Sequence, residues 1–297
     1  MAYFPFLEAT VVAPGEVDFT NFEKAPRGTA GVEQLQQILS WENRNLYGDP
    51  ADPANARAAA VQANIDAMST IFPADRAGVR TLNSALAADL PLLAEIEGLV
   101  ARGENVLPPS AAMAGVMTYV DETRGVWNAP ANVSLRSVAG PTVPLDGNQQ
   151  AELNMPVDGK AVDALREFPG RGTVVWGART LDGNSPDYRY IQVRRTLIYI
   201  EQSIKNALAQ FAFAPNTGQT WTSVVSMVSS FLQQLWSQGG LMGATAQEAF
   251  SVECGLGSTM TGKDILDGWM IVQITVQMIR PAEFTELTFK QKMEGVG

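Results

Sequence analysis

The sequence has no histidine, and its one cysteine is Cys254. Without histidine the usual general base, proton shuttle and commonest metal ligand are gone, so no Ser/His/Asp or Cys/His triad is available. A lone cysteine builds no disulfide framework and gives no mark of an oxidising compartment; Cys254 reads as packing rather than as a nucleophile. Cations are scarce as well, with 21 Lys and Arg against 31 Asp and Glu, a formal charge of −10 and a pI near 4.6. Such a chain has no basic stripe for a nucleic-acid backbone or an anionic lipid surface, so neither is expected as a partner. Long apolar runs are missing too. "WMIVQITVQMI" (Trp269 to Ile279) is interrupted by glutamines and falls short of the roughly 18 residues of a membrane span. "MAYFPFLEAT" has no basic stretch ahead of an apolar one, so no signal peptide is expected and the chain reads as soluble and assembled in the cytoplasm.

What is present is enough for a core: 297 residues, 46% of them hydrophobic, for one large domain or two smaller ones. From Gly31 to Gly103 the spacing predicts a small helical unit. Val32, Leu35, Ile38 and Leu39 share one face, Val61, Ile65, Met68 and Ile71 a second, and Leu82, Leu86, Leu90, Leu93, Ile96 and Leu99 a third. From Leu107 the texture turns to prolines, glycines and short β-prone runs, with a short helix expected from about Ala111. "GTVVWGAR" is a short apolar run bounded by glycines, as in a buried strand, with Thr173, Val174, Val175 and Trp176 as its residues. Two amphipathic helices follow, over Tyr190 to Gln210 and Thr220 to Gln238. Strands are expected at "AFSVECG", along the alternation Val272, Ile274, Val276, Met278, and in "EFTELTFKQK", which has no following partner in sequence. The pattern is α/β.

No catalytic constellation stands above background. "GRGTVVWG" fails as a dinucleotide loop because its glycines precede the apolar run, and "STMTGKD" has a Gly-Lys pair without the rest of a phosphate loop. Asp264 with Asp267, or Glu283 with Glu286, are neighbouring acids of the kind that ordinarily form a solvated face, though carboxylate-dependent hydrolysis is the enzyme chemistry left open. Such an enzyme would enclose two acids of raised pKa in a deep cleft. Arg194 and Arg195, with Glu201 further along the same helix, read as structural ion-pair donors. No cofactor and no metal is expected.

Several blocks in order carry a resemblance: "LPPSAAMAGVMTYVDETRGVWNAPANVSL" (Leu107 to Leu135), "AELN", "GRGTVVWGARTL" (Gly170 to Leu181), "YRYIQVRRTLIYIEQSI", "FLQQLWSQGGLMGATAQEAFSVECG", "STMTGKDILDGWMIVQITV" and "RPAEFTELTF". From Leu107 onward the chain resembles the C-terminal half of contractile tail sheath proteins of bacteriophages, R-type bacteriocins and contractile injection systems. "MAYFPFLEA" is similar to a strand of that family that ordinarily lies just before the "PPS" block. The family's upstream half has no counterpart, and the helical unit reads as an insertion at a loop, on the outer surface.

The resemblance implies a small mixed sheet flanked by long amphipathic helices. Residues 1–10 supply a strand of the core, 11–106 the helical insertion, 107–281 the sheath core and 282–297 a C-terminal arm. It implies stacked six-fold rings around an inner tube, which contract from a metastable extended state without nucleotide. The arm, with Phe284, Thr285, Leu287, Phe289 and Gln291, would add a strand to a neighbour's sheet. Arg179, Arg194 and Arg195 would tie the core, and Lys263, Asp264 and Asp267 would lie at the inner-tube contact. Expected partners are further copies, the inner tube protein and baseplate and cap proteins; the missing upstream half leaves open a shortened chain, a fragment of a longer one, or a component working beside a second sheath polypeptide that supplies it. A baseplate or cap protein reusing the sheath core is the alternative within the family.

Overall fold

The computed structural model describes residues 1–24, 31–71 and 74–282. In chain order the elements are strands β1 (Tyr3–Phe4) and β2 (Leu7–Ala9), helices α1 (Gly31–Tyr47), α2 (Ala56–Ala67), α3 (Arg76–Asp89) and α4 (Pro91–Glu104), strand β3 (Val106–Leu107), helix α5 (Ser110–Arg124) and strands β4 (Val133–Ser134) and β5 (Val138–Pro141). Then come helix α6 (Gly147–Asn154), the hairpin β6 (Asp163–Phe168) and β7 (Gly172–Trp176), helices α7 (Ile191–Leu208), α8 (Gly218–Ser237) and α9 (Ala246–Ala249), strand β8 (Phe250–Glu253), helix α10 (Gly262–Leu266) and strand β9 (Gln273–Val276). The chain divides into two compact units. One holds Met1–Phe4, Pro109–Leu135 and residues from Pro144 onward; the other holds Pro5–Pro108 and Arg136–Val143.

The helical unit is built on α1 to α4. Leu39, Ile65, Val79, Leu86, Leu90 and Leu93 are buried together with Phe19. On α1 the buried positions are Val32, Leu35, Leu39 and Asn43, so the helix turns Ile38 outward. Asn43 is a buried amide whose Nδ2 donates to the Ala58 carbonyl at 2.9 Å, tying α1 to α2. The third leucine stripe spans a break: Leu90 leaves α3 in an extended conformation and Pro91 opens α4, where its missing N–H costs nothing. A three-stranded antiparallel sheet, β3-β2-β5, completes this unit.

The second unit carries a four-stranded mixed sheet of order β1-β6-β7-β4, with β1 parallel to β6 and the other pairs antiparallel. Residues 1–10 therefore do not make one strand. Proline 5 has no N–H for a ladder, and β1 and β2 on either side of it join different sheets. The β6–β7 hairpin turns at Pro169-Gly170, where the Arg171 amide donates to the Phe168 carbonyl at 3.0 Å and Gly170 has φ +73°. That is a type II turn with its preferred residues. Gly170 of "GRGTVVWG" thus serves a hairpin turn rather than a phosphate loop.

Helices α7 and α8 pack with the two-stranded antiparallel sheet β8–β9 around Ile200, Ile204, Val224, Val228, Leu232 and Leu235. The alternation expected from Val272 to Met278 forms a ladder only over β9; Met278 makes a single bridge to Leu241.

Candidate assembly surface

The β7 residues Thr173, Val174 and Val175 are buried, and the Trp176 ring meets Phe168 with centroids 4.8 Å apart. Gly177 follows because nothing larger fits: a Cβ there would lie 2.6 Å from Asp163 Oδ1. That oxygen accepts the Arg179 amide at 2.8 Å, and the buried Arg179 sets its guanidinium over the Tyr190 ring at 6.0 Å. Burial, and after it the Asp163 charge, push the Tyr3 hydroxyl pKa up against the opposing charge of Arg195. Asp163, Arg179 and Tyr3 therefore gather at the edge where β1 meets β6.

Arg195 pairs with Asp121 on α5 through both carboxylate oxygens, at 2.8 and 2.5 Å, instead of with Glu201. Arg194 is exposed and lies over the Tyr188 ring at 5.4 Å. The expected pair of ion-pair donors is thus one fork and one stacked cation. Nothing in the sequence pointed to Asp121, which is 74 positions away.

The segment from Thr261 to Gly268 forms α10 and its flanks. The Thr261 side chain caps the helix by accepting the Asp264 amide, and Asp264 accepts in return from the Thr261 amide and hydroxyl at 2.8 and 2.7 Å. These hydrogen bonds hold the Asp264 carboxyl below the usual carboxylate range. Asp264 is thereby occupied in shaping the turn, while Lys263 and Asp267 are exposed. Beside them Leu266 and Trp269 stand 88% and 64% exposed, an apolar pair that sequence periodicity did not single out. Cys254 is half-buried and free, and burial pushes its thiol pKa up, away from a reactive thiolate.

The arm residues Phe284, Thr285, Leu287, Phe289 and Gln291, and the acids Glu283 and Glu286, lie outside the described residues. Among the described residues the β8–β9 sheet has no third strand. Glu97, in the helical unit, is a carboxylate pushed up in pKa. Its neighbour Asp18 is engaged by Arg76 at 3.2 Å, so the two are not a free acid pair. No helix among the described residues is long and apolar enough to cross a membrane.

Residues 184–292 match the phage tail sheath C-terminal domain family. Over those residues, a little over a third of its length, the chain is similar to a phage tail sheath C-terminal domain. It is 29% identical over 148 residues to the tail sheath protein of Burkholderia phage BcepMu, covering 48% of this chain and 31% of that one. Among solved structures it is similar to a chain of the contracted helical sheath of the anti-feeding prophage, with 46% identity and a TM-score of 0.59 over 63% of this chain and 51% of that one. A chain of the contracted sheath complex of PVC, an extracellular contractile injection system, gives 43% identity and a TM-score of 0.60 at the same coverage. A chain of the six-fold symmetrised anti-feeding prophage baseplate gives 46% identity and 0.59. This chain therefore spans about half the length of those relatives of known structure and under a third of the curated phage protein.

Proposed function

We propose that the chain is a structural, non-enzymatic subunit of a contractile sheath, stacking in six-fold rings around an inner tube and contracting from a metastable extended state. The observation that carries this reading is the 46% identity to a chain of a contracted helical sheath, over 63% of this chain. In the same reading the sheath core is drawn from residues 107–281, of which 107–108 and 136–143 fall in the compact unit of the helices, residues 11–106 are an insertion on the outside and 282–297 an arm. The subunits assemble in the bacterial cytoplasm with baseplate and cap proteins.

Among the described residues the β8–β9 sheet has two strands, and this supports strand donation, because a sheet that short has backbone groups at its edges for an added strand. Residues 284–291 of a neighbour supply that strand, with Leu287 and Phe289 turned inward. Lys263, with Asp264 and Asp267 around it, faces the inner tube. Electron microscopy of the assembled material tests the whole reading: a helical tube is expected, and its absence under assembly conditions overturns the sheath role. Deletion of residues 282–297 should abolish tubes while the far-ultraviolet spectrum and melting of the domain stay unchanged; intact tubes would sink strand donation. Lys263→Glu should loosen the sheath from an acidic tube surface without lowering thermal stability.

A baseplate-proximal ring is the second reading, favoured by the equal identity to a chain of the anti-feeding prophage baseplate. Labelling the subunit in native particles separates the two, since a sheath subunit decorates the full shaft and a baseplate component one end.

A further inference from the structure

Between α7 and α8 the chain turns at Phe211-Ala212-Phe213-Ala214. Ala212 has φ −57° and ψ 130°, Phe213 has φ +65°, and the Ala214 amide donates to the Phe211 carbonyl at 3.0 Å. These are the marks of a type II turn, whose third position asks for a left-handed residue and so for glycine. The same chain obeys that preference in the β6–β7 turn, where Gly170 takes the position. Here a bulky aromatic takes it, at a cost in backbone strain. Among the described residues nothing offsets that cost, because Phe213 is 106% exposed and is absent from the buried core.

Two further observations say what covers it. From Asn206 to Gln247 the sequence has no Asp, Glu, Lys or Arg, although the chain as a whole carries −10. The turn and α8 are therefore a place where two copies of an acidic protein approach without like-charge repulsion. Elsewhere on the same unit lies a cleft of about 340 Å³ whose walls include Ala131, Trp176, Gly177, Ala178, Tyr190 and Pro281, and no lining residue carries a formal charge. Its two aromatic side chains offer a third ring tilted or edge-on contacts.

We propose that Phe213 of one copy inserts into the Trp176–Tyr190 cleft of a second copy. Knob and hole are different residues, so the contact either propagates head-to-tail or is made twice across a two-fold axis. The strained turn keeps the ring projecting, ready to bind with little further ordering. The inference rests on the reading that the chain assembles with copies of itself, and it adds a contact separate from the arm.

The test uses two variants of the full chain in a Cys254→Ser background, Phe213→Cys and Ala131→Cys, mixed under mild oxidation. A mixed disulfide dimer is expected at least tenfold above that from Val157→Cys with Ala131→Cys, since Val157 is equally exposed and apolar. Yield at the control level overturns the inference. So does a disulfide between Ala131→Cys and a Phe284→Cys placed in the same chain, because the chain's own end then fills the cleft. Phe213→Gly gives an independent readout. Its melting point should equal or exceed that of the parent, while the concentration needed for self-association rises at least tenfold. A lower melting point would mean the ring supports its own subunit, and unchanged association would mean it contacts no copy; either overturns the inference. Neither readout requires tubes, so failure of the sheath reading and failure of this contact are told apart.

Discussion

Arg195 and Asp121 join α7 to α5 by two parallel hydrogen bonds, Nη1 to Oδ1 at 2.8 Å and Nη2 to Oδ2 at 2.5 Å. The pair is only partly buried, so its value lies in geometry more than in raw Coulomb energy.

Arg195→Lys keeps the charge and loses the fork. It should cost about 1 kcal/mol, no less than Asp121→Asn, and the double variant should lose less than the two singles combined. Urea denaturation of the four proteins measures this. Strict additivity would mean the two groups do not interact.

Gly177 and Gly170 separate two reasons for glycine. A Cβ at 177 meets Asp163 Oδ1 at 2.6 Å and Asp163 Cα at 3.0 Å, whereas a Cβ at 170 meets nothing within 4 Å. Gly177→Ala must displace the residue that receives the Arg179 amide and should cost roughly 1–3 kcal/mol. Gly170→Ala carries only the left-handed backbone penalty of about 1 kcal/mol. Equal melting points for the two variants would refute the distinction.

The longer helices α1 to α4, α7 and α8 and the buried β7 strand were legible because their apolar positions recur at the period of the element. β6 was not, since "DALREF" places Asp163 and Arg166 inside a strand whose first three residues are buried. The polar pattern hides the strand, and inside it the Asp163 carboxylate accepts the Arg179 backbone amide at 2.8 Å. Helix α6 had a readable signal that went unused: Asp146 and Gln149 form a capping box, each side chain bonded to the other's backbone amide. Phe213 and the Leu266–Trp269 pair escaped for another reason. Periodicity marks apolar residues as core, and their exposure shows only once the backbone is folded.

Leu93 and Leu99 belong to one stripe in sequence and to different environments in the fold. Leu93 is fully buried against the helical core, and Leu99 is exposed on α4. Leu93→Ala should cost about 2–5 kcal/mol, while Leu99→Ala should stay within about 0.5 kcal/mol. Thermal unfolding measures both, and a large loss at Leu99 would mean the helical unit covers that face.

Glu97 is a nearly buried carboxylate on α4. Burial raises its pKa, a hydrogen bond from Asn83 works against the rise, and the Asp18 charge adds to it; Arg76 in turn is paired with Asp18. The folded state therefore holds the Glu97 proton to higher pH than the unfolded chain does. Its contribution to stability is fully present below the ordinary glutamate pKa and is lost as pH rises through the raised value. Glu97→Gln is neutral at every pH and keeps an acceptor for Asn83. The variant should match the parent near pH 4, become the more stable of the two as pH rises, and hold a constant lead once Glu97 is fully charged. Melting curves across that range decide the matter. A lead that is the same at low and neutral pH would show that packing at position 97, and not its charge, sets the difference.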